Sequence, residues 1–257
     1  MLPGELVLSR YGWDRVGYFD GLSYREVKIQ QNSETSFVSA VQIGSEGRTF
    51  GISYQGPYRD TGAVGNFVIK LLPNGSSIPI YRMQETVILD LAVTPSSLVI
   101  LLRRGNNCPT INWTDYDGKE FKNIAAPCDS LGLGAAADDK VFVATQKRVL
   151  ILRGNQFEPL ELGYWVTWIN PNELMYYTDQ DRCTWKYMLA GNSKTKIFCG
   201  EWFAGAASSD GRYITIRVLT TKDWHDVPEL RILDTNSKKY IPVMQGVIPS
   251  IHWALAK

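Results

Sequence analysis

The chain has 257 residues, of which 44% are hydrophobic and 12% aromatic, and its formal net charge is +1. A chain of this length is able to bury a substantial core. The near-neutral charge excludes the strongly basic surface of nucleic-acid-binding proteins. No apolar run reaches the ~18 residues that a membrane helix needs, and the first residues lack the basic and apolar regions of a signal peptide. We therefore expect neither a nucleic-acid partner nor membrane insertion, with the export signal absent from this chain.

Short alternating strands fill the sequence, and six hairpins recur along it. Each hairpin has Asp-Gly, Asn-Gly, Gly-Asn or Asp-Thr-Asn at its centre, residues that tolerate the positive φ of tight turns. The hairpins span residues 17–27, 69–81, 112–124, 150–160, 186–198 and 230–243. A repeat of this kind predicts an array of similar β-units.

A further pair of strands precedes every hairpin except the first. The earlier strand of each pair is apolar and contains many small residues, at 37–43, 87–93, 131–137, 165–169 and 202–208. The later strand lies at 49–54, 98–104, 140–146, 173–179 and 213–219. Each unit is therefore a four-stranded meander, with strands a to d in order. Glycine and alanine are poor strand formers, so their abundance in strand a indicates crowding around a central axis.

The two ends of the chain supply the missing strand. The first hairpin lacks a strand a, whereas the segment 249–255 resembles one and is followed by no strand b. Pairing 249–255 with residues 5–30 completes a sixth unit and protects the sheet edges. The predicted fold is all-β: a six-bladed β-propeller that forms a single domain over residues 1–257.

Two segments carry a family resemblance: Ser208–Ile214 (SSDGRYI) and Leu230–Thr235 (LRILDT). They resemble the blades of TolB-like propellers, which are related to the WD-repeat-like blades of prolyl oligopeptidases. The resemblance implies the fold and no particular reaction, because propellers serve as enzymes, scaffolds and receptors. The Gly-x-Ser-x-Gly motif of the prolyl oligopeptidase hydrolase domain is absent.

The four cysteines occupy matching places in two blades. Cys108 and Cys183 lie at the start of strand c, and Cys128 and Cys199 lie at the end of strand d. These positions are neighbours in an antiparallel hairpin, which predicts the disulfides Cys108–Cys128 and Cys183–Cys199 and an extracytoplasmic location, periplasmic, cell-surface or secreted. The alternative is four reduced, buried thiols. A zinc site is disfavoured because no Cys-x-x-Cys motif is present.

Catalytic chemistry finds little support in the sequence. The chain has two histidines. His225 is better explained as a loop side chain, and His252 as a packed side chain of an inner strand. Asp90 lies on an inner strand and is expected to face the central channel, but one carboxylate makes neither a glycosidase pair nor a calcium site. We predict no catalytic residue, no metal and no cofactor.

The loops between strands b and c contain many residues of the types that dominate binding hot spots. The topology puts all these loops on one face of the disc, and the predicted binding residues are Trp13, Arg15, Tyr58, Arg59, Arg104, Arg182, Trp224 and His225. An ordinary polar loop face is the plain alternative. The favoured hypothesis is a non-enzymatic interaction module that recognises a protein, or less readily a glycan, through this face. The alternative is an enzyme of the lactonase or glycoside hydrolase type with its site in the central channel.

Overall fold

A computed structural model describes residues 2, 4–9, 15–30, 37–43, 48–54, 66–82, 86–145, 148–160, 164–200, 202–218, 229–245 and 250–253. These residues form six sheets, each of four antiparallel strands. The prediction of six four-stranded blades is confirmed.

The blades are numbered in chain order, and each is given from its inner to its outer strand. Blade 1 consists of β24 (Ser250–Trp253), β1 (Leu6–Ser9), β2 (Arg15–Phe19) and β3 (Tyr24–Lys28). Blade 2 consists of β4 (Phe37–Ile43), β5 (Thr49–Tyr54), β6 (Asn66–Leu71) and β7 (Ser77–Arg82). Blade 3 consists of β8 (Thr86–Val93), β9 (Leu98–Arg104), β10 (Thr110–Thr114) and β11 (Glu120–Ala125).

The second half of the ring repeats this order. Blade 4 consists of β12 (Ser130–Ala137), β13 (Lys140–Thr145), β14 (Val149–Arg153) and β15 (Gln156–Leu160). Blade 5 consists of β16 (Tyr164–Asn170), β17 (Glu173–Thr178), β18 (Cys183–Met188) and β19 (Ser193–Cys199), with a short 3-10 turn at Ala190–Asn192. Blade 6 consists of β20 (Trp202–Ala207), β21 (Tyr213–Val218), β22 (Glu229–Asp234) and β23 (Tyr240–Gln245).

Six hydrophobic clusters, within the described part of the chain, lie at the six interfaces between neighbouring blades. For example, Trp113 of blade 3 and Val143 of blade 4 share one cluster, and Met175 of blade 5 and Phe203 of blade 6 share another. Each blade therefore buries both faces of its sheet. This explains why the second strands, such as β9, are continuous apolar runs rather than alternating ones.

The ring closes within blade 1, as predicted from the chain ends. Strand β24 pairs antiparallel with β1, with Trp253 opposite Leu6 and Ser250 opposite Ser9. On its other side β24 contacts β20 of blade 6, and the inner strands contact one another in sequence around the ring. The apolar cluster around Trp253 joins Leu6 and Leu8 of blade 1 to Leu230 and Ile232 of blade 6.

The small residues of strand a make room for side chains of neighbouring strands. A Cβ at Gly134 would overlap the ring of Phe142, and a Cβ at Gly132 would lie 3.4 Å from the carboxylate of Asp90. Crowding at the inner strands is therefore the physical reason for these glycines.

Polar turns also connect neighbouring blades on the face that carries the a–b and c–d turns. Asp138 of blade 4 accepts hydrogen bonds from the hydroxyls of Thr94, Ser96 and Ser97 of blade 3 at 2.6–2.9 Å. Burial raises the pKa of Asp138, but these three hydroxyls and the charge of Lys122 outweigh it, so the net shift is downward. The carboxylate therefore serves as a charged bridge between two blades.

Candidate functional site

The opposite face of the disc carries the connections from strand b to strand c and from each strand d to the next blade, and we call it the b–c face. Two of its b–c connections are described completely: residues 105–109 between β9 and β10, and residues 179–182 between β17 and β18. Five predicted binding residues lie outside the described residues: Trp13, Tyr58, Arg59, Trp224 and His225. Arg15, Arg104 and Arg182 are described.

Both predicted disulfides are present, and both lie at this face. Cys108 is joined to Cys128, and Cys183 is joined to Cys199, so no cysteine is free. Cys183 and Cys199 face each other in the β18–β19 register, whereas the Cys108–Cys128 bridge lies just beyond the first and last residues of the β10–β11 hairpin. Each disulfide thus fixes the connection that precedes strand c to the one that leaves strand d.

The 179–182 connection is held by the carboxylate of Asp181. Asp181 accepts hydrogen bonds from the Thr178 hydroxyl, from the Trp185 indole N–H at 3.1 Å and from the Cys183 backbone N–H at 3.1 Å. Its outer oxygen also lies 3.4 Å from the ammonium of Lys196. The Thr178 hydroxyl first, and then the other donors, hold the pKa of Asp181 below its usual range. Asp181 is therefore a structural centre of the loop.

Arg182 follows Asp181 and has a backbone φ of 54°, in the left-handed region that residues other than glycine rarely adopt. Its backbone carbonyl accepts a hydrogen bond from the N–H of Gly200 at 2.9 Å, which ties the b–c connection to the chain leaving the blade. The Arg182 side chain is exposed and makes no ion pair with a described residue. The loop thus presents a guanidinium group on a fixed backbone.

Arg15 and Arg104 differ in their surroundings. Arg15 opens β2 and pairs with Glu26 of β3 at 3.0 Å, so its charge is engaged within the blade. Arg104 closes β9 beside Arg103, and both side chains are exposed and without an ion-pair partner among the described residues. Among the described residues, the structure therefore brings Arg104 and Arg182 to one face without an ion-pair partner, and Arg15 paired with Glu26.

A small depression lies beside the Cys108–Cys128 bridge. Its volume is about 250 Å³, and it is lined by Arg103, Gly105, Asn106, Asn107, Cys108 and Cys128. The two asparagines were not predicted as site residues. The only sign of them in the sequence is their position between Arg104 and Cys108. That position indicates a site only once the pairing of Cys108 with Cys128 is known.

The central channel has one carboxylate among its inner strands as described, Asp90 on β8. Its two oxygens accept backbone N–H groups, from Leu91 on its own strand and from Leu133 of β12 in the next blade, both at 2.8 Å. Burial raises the pKa of Asp90 to about 6, although both hydrogen bonds oppose the shift. By accessible surface Asp90 is only partly buried. His252, on β24, is also only partly buried.

Neither a metal cluster nor a membrane helix is found in the part of the chain that the structure describes. No three His, Cys, Asp or Glu side chains there come together as metal ligands would. No helix among those residues is long and apolar enough to cross a membrane.

Comparison with solved structures identifies the architecture. TolB from Acinetobacter baumannii superposes with a TM-score of 0.67 at 11% identity, over 98% of this chain and 66% of the TolB chain. The six-bladed β-propeller of this chain is therefore similar in fold to TolB. No family model and no curated protein matches the sequence.

Two further similar structures indicate how widely the fold is used. A protein of unknown function from Bacteroides caccae has a TM-score of 0.62 at 11% identity, over 98% of this chain and 99% of that chain. An oligogalacturonate lyase from Vibrio parahaemolyticus has a TM-score of 0.56 at 12% identity, over 95% of this chain and 80% of that chain. At such low identity the likeness concerns the fold alone, so the choice of function depends on the site.

Proposed function

We propose that this protein is a non-enzymatic, extracytoplasmic interaction module that recognises a partner protein through its b–c face. The observation that carries the proposal is the pair of disulfide-linked connections on blades 3 and 5, which hold on a fixed backbone exposed arginines that make no ion pair with a described residue. Loops that are ordered before binding lose less conformational entropy when they bind, so rigid loops favour affinity. Arginine is also among the residues most enriched in binding hot spots.

The two disulfides support the extracytoplasmic part of the proposal. Disulfides persist in oxidising compartments and are rare where glutathione keeps thiols reduced. All four cysteines of the chain are engaged in such bonds.

We assign the remaining predicted binding residues to the b–c face from their positions in the sequence. Trp13, Tyr58, Arg59, Trp224 and His225 lie in segments whose flanking strands, β1–β2, β5–β6 and β21–β22, are joined from strand b to strand c. We expect alanine at Tyr58, Arg59 or Trp224 to leave folding intact and to weaken partner binding, by about 2 kcal/mol or more at a true hot spot. Isothermal titration with the purified partner measures this loss.

A channel enzyme is the competing hypothesis, and Asp90 is the residue that bears on it. A pKa near 6 suits a general acid or base. However, both carboxylate oxygens accept backbone N–H groups, which is the environment of a group that holds two inner strands together. A glycosidase would also need a second carboxylate about 5–10 Å away, and the six inner strands as described contain no other Asp or Glu. The interaction module is therefore the function we favour.

Site-specific photo-crosslinking tests the choice of face. A photoreactive residue is introduced at exposed positions of the b–c face, Asp129 and Gln180, and at exposed turns of the opposite face, Asp117 and Asn236. After irradiation in cells of the organism of origin, the same partner protein should be trapped from both b–c positions and from neither control position. Trapping mainly from Asp117 and Asn236 would overturn the proposal.

A further inference from the structure

The depression on blade 3 is a preformed feature of the b–c face. The Cys108–Cys128 bridge closes one side of it. Within the same two connections, the Ala126 N–H donates to the Pro109 carbonyl at 2.9 Å, and the Asn107 N–H donates to the Arg104 carbonyl at 3.1 Å. The disulfide and these backbone hydrogen bonds therefore hold the backbone of the lining in place without a ligand.

Three side chains of the lining have unused hydrogen-bonding groups. Arg103, Asn106 and Asn107 are exposed, and none of their side chains makes a hydrogen bond or ion pair with a described residue. A guanidinium offers N–H donors in a planar fork, and each carboxamide adds two more donors. This combination matches a carboxylate, which accepts the guanidinium fork through both of its oxygens.

The size of the depression limits what enters it. Pockets for whole small molecules usually measure about 300–1,000 Å³, whereas this depression measures about 250 Å³ and is open to the surface. It therefore suits a single residue of a longer chain better than a free metabolite.

The charges around the depression extend the same preference. Arg104, Arg148 and Arg182 are exposed at the b–c ends of blades 3, 4 and 5, which follow one another around the ring, and none is ion-paired with a described residue. Asp129, next to Cys128, is the opposing charge at the depression, and Asp179 and Asp181 oppose Arg182 in the 179–182 connection. An acidic segment that crosses these three blades would meet several guanidinium groups in succession.

We propose that the depression binds one carboxylate side chain of an acidic peptide segment, with Arg103 as its fork and Asn106 and Asn107 as additional donors. This inference rests on the proposed function, since it names the chemistry of the partner that the b–c face receives.

Binding of fluorescein-labelled hexaglutamate, followed by fluorescence anisotropy at about 20 mM salt and again at about 150 mM, tests the proposal. The R103Q variant should bind about tenfold more weakly than the wild type, because a charge-assisted bidentate contact is lost. R103K should recover only part of that loss, because it restores the charge without the fork. D129N should bind more tightly, because it removes a like charge beside the ligand.

R153Q is the matched control. Arg153 is similarly exposed but lies at a c–d turn on the opposite face, where it pairs with Glu158 at 2.9 Å. R153Q makes the same change in net charge and should leave hexaglutamate binding unchanged. Equal losses in R103Q and R153Q would show that only net charge matters and would overturn the site.

Two other outcomes would also overturn the proposal. One is the absence of saturable hexaglutamate binding at low salt. The other is tighter binding of trigalacturonate than of hexaglutamate with loss of both in R103Q, which would assign the depression to an acidic glycan. Crosslinking at Gln180 separates this proposal from the broader one: a trapped partner combined with unaltered R103Q binding refutes the depression and leaves the b–c face in place.

Discussion

Ring closure by Trp253 offers a direct test of the architecture. Trp253 belongs to β24, has only 6% of its surface exposed, and lies in the cluster between blade 1 and blade 6. Its ring stacks on Tyr213 of blade 6 with centroids 6.3 Å apart and planes at 17°. Its indole N–H makes no hydrogen bond with a described residue, so replacing it removes packing alone.

The W253A variant should lose about 3–5 kcal/mol of unfolding free energy, the usual cost of truncating a buried aromatic residue. Domains are typically stable by only about 5–15 kcal/mol, so a large share of the total is at stake. In a chain of this size, about 1 kcal/mol lowers Tm by roughly 2–4 °C, which predicts a fall of roughly 6–20 °C.

Urea unfolding and calorimetry of W253A measure this loss, with F121A as the control. Phe121 is an aromatic residue of the outer strand β11 with 58% of its surface exposed, so F121A should change stability by less than about 0.5 kcal/mol. Removing residues 248–257 should destabilise the chain further, because it also uncovers the edge of β1. Equal stability of W253A and F121A, or an unchanged Tm after the deletion, would refute closure through β24. A single calorimetric transition would support our proposal that residues 1–257 form one domain.

Two further predictions concern the disulfides and Asp90. Replacing either cysteine pair by serine should cost about 3 kcal/mol by the chain-entropy model, since the bridges span 20 and 16 residues. The two losses in unfolding free energy should add, because the pairs belong to different blades. Four reactive thiols in denatured, unreduced protein from the native compartment would contradict both bridges. Asp90 has a raised pKa, so its protonated form stabilises the fold below about pH 4, and this contribution disappears as pH rises through about 6. The stability of the wild type relative to D90N should therefore fall by up to about 3 kcal/mol between pH 4 and 7, and chemical denaturation that gives parallel pH profiles would exclude the raised pKa.

The sequence predicts the blades well because local signals are repeated six times. Turns such as Asp117-Gly118 specify hairpins directly: Gly118 adopts a φ of 87°, and a Cβ there would collide with the carbonyl of Ile80 in the neighbouring blade. The likeness of 249–255 to an inner strand was enough to predict closure.

Features that depend on side chains from two blades were not predicted. Trp113 is fully buried, and its indole N–H donates to the Asp138 carbonyl of the next blade, a contact that no local pattern indicates. The inner strand β8 also contains a bulge between Ile88 and Asp90, and the alternation of apolar residues does not predict it. The role of Asp181 was missed for a related reason: its partners come from three strands of blade 5, β17, β18 and β19.

The pairing of the cysteines has a consequence for how the chain matures. Each bridge joins a cysteine to the next one along the sequence and closes within a single hairpin. Four cysteines allow three connectivities, and this is the one that forms when each thiol reacts with the first partner to follow it. A chain delivered N-terminus first into an oxidising compartment would acquire its native bonds in order of arrival, and we expect its maturation to need an oxidant but no isomerase.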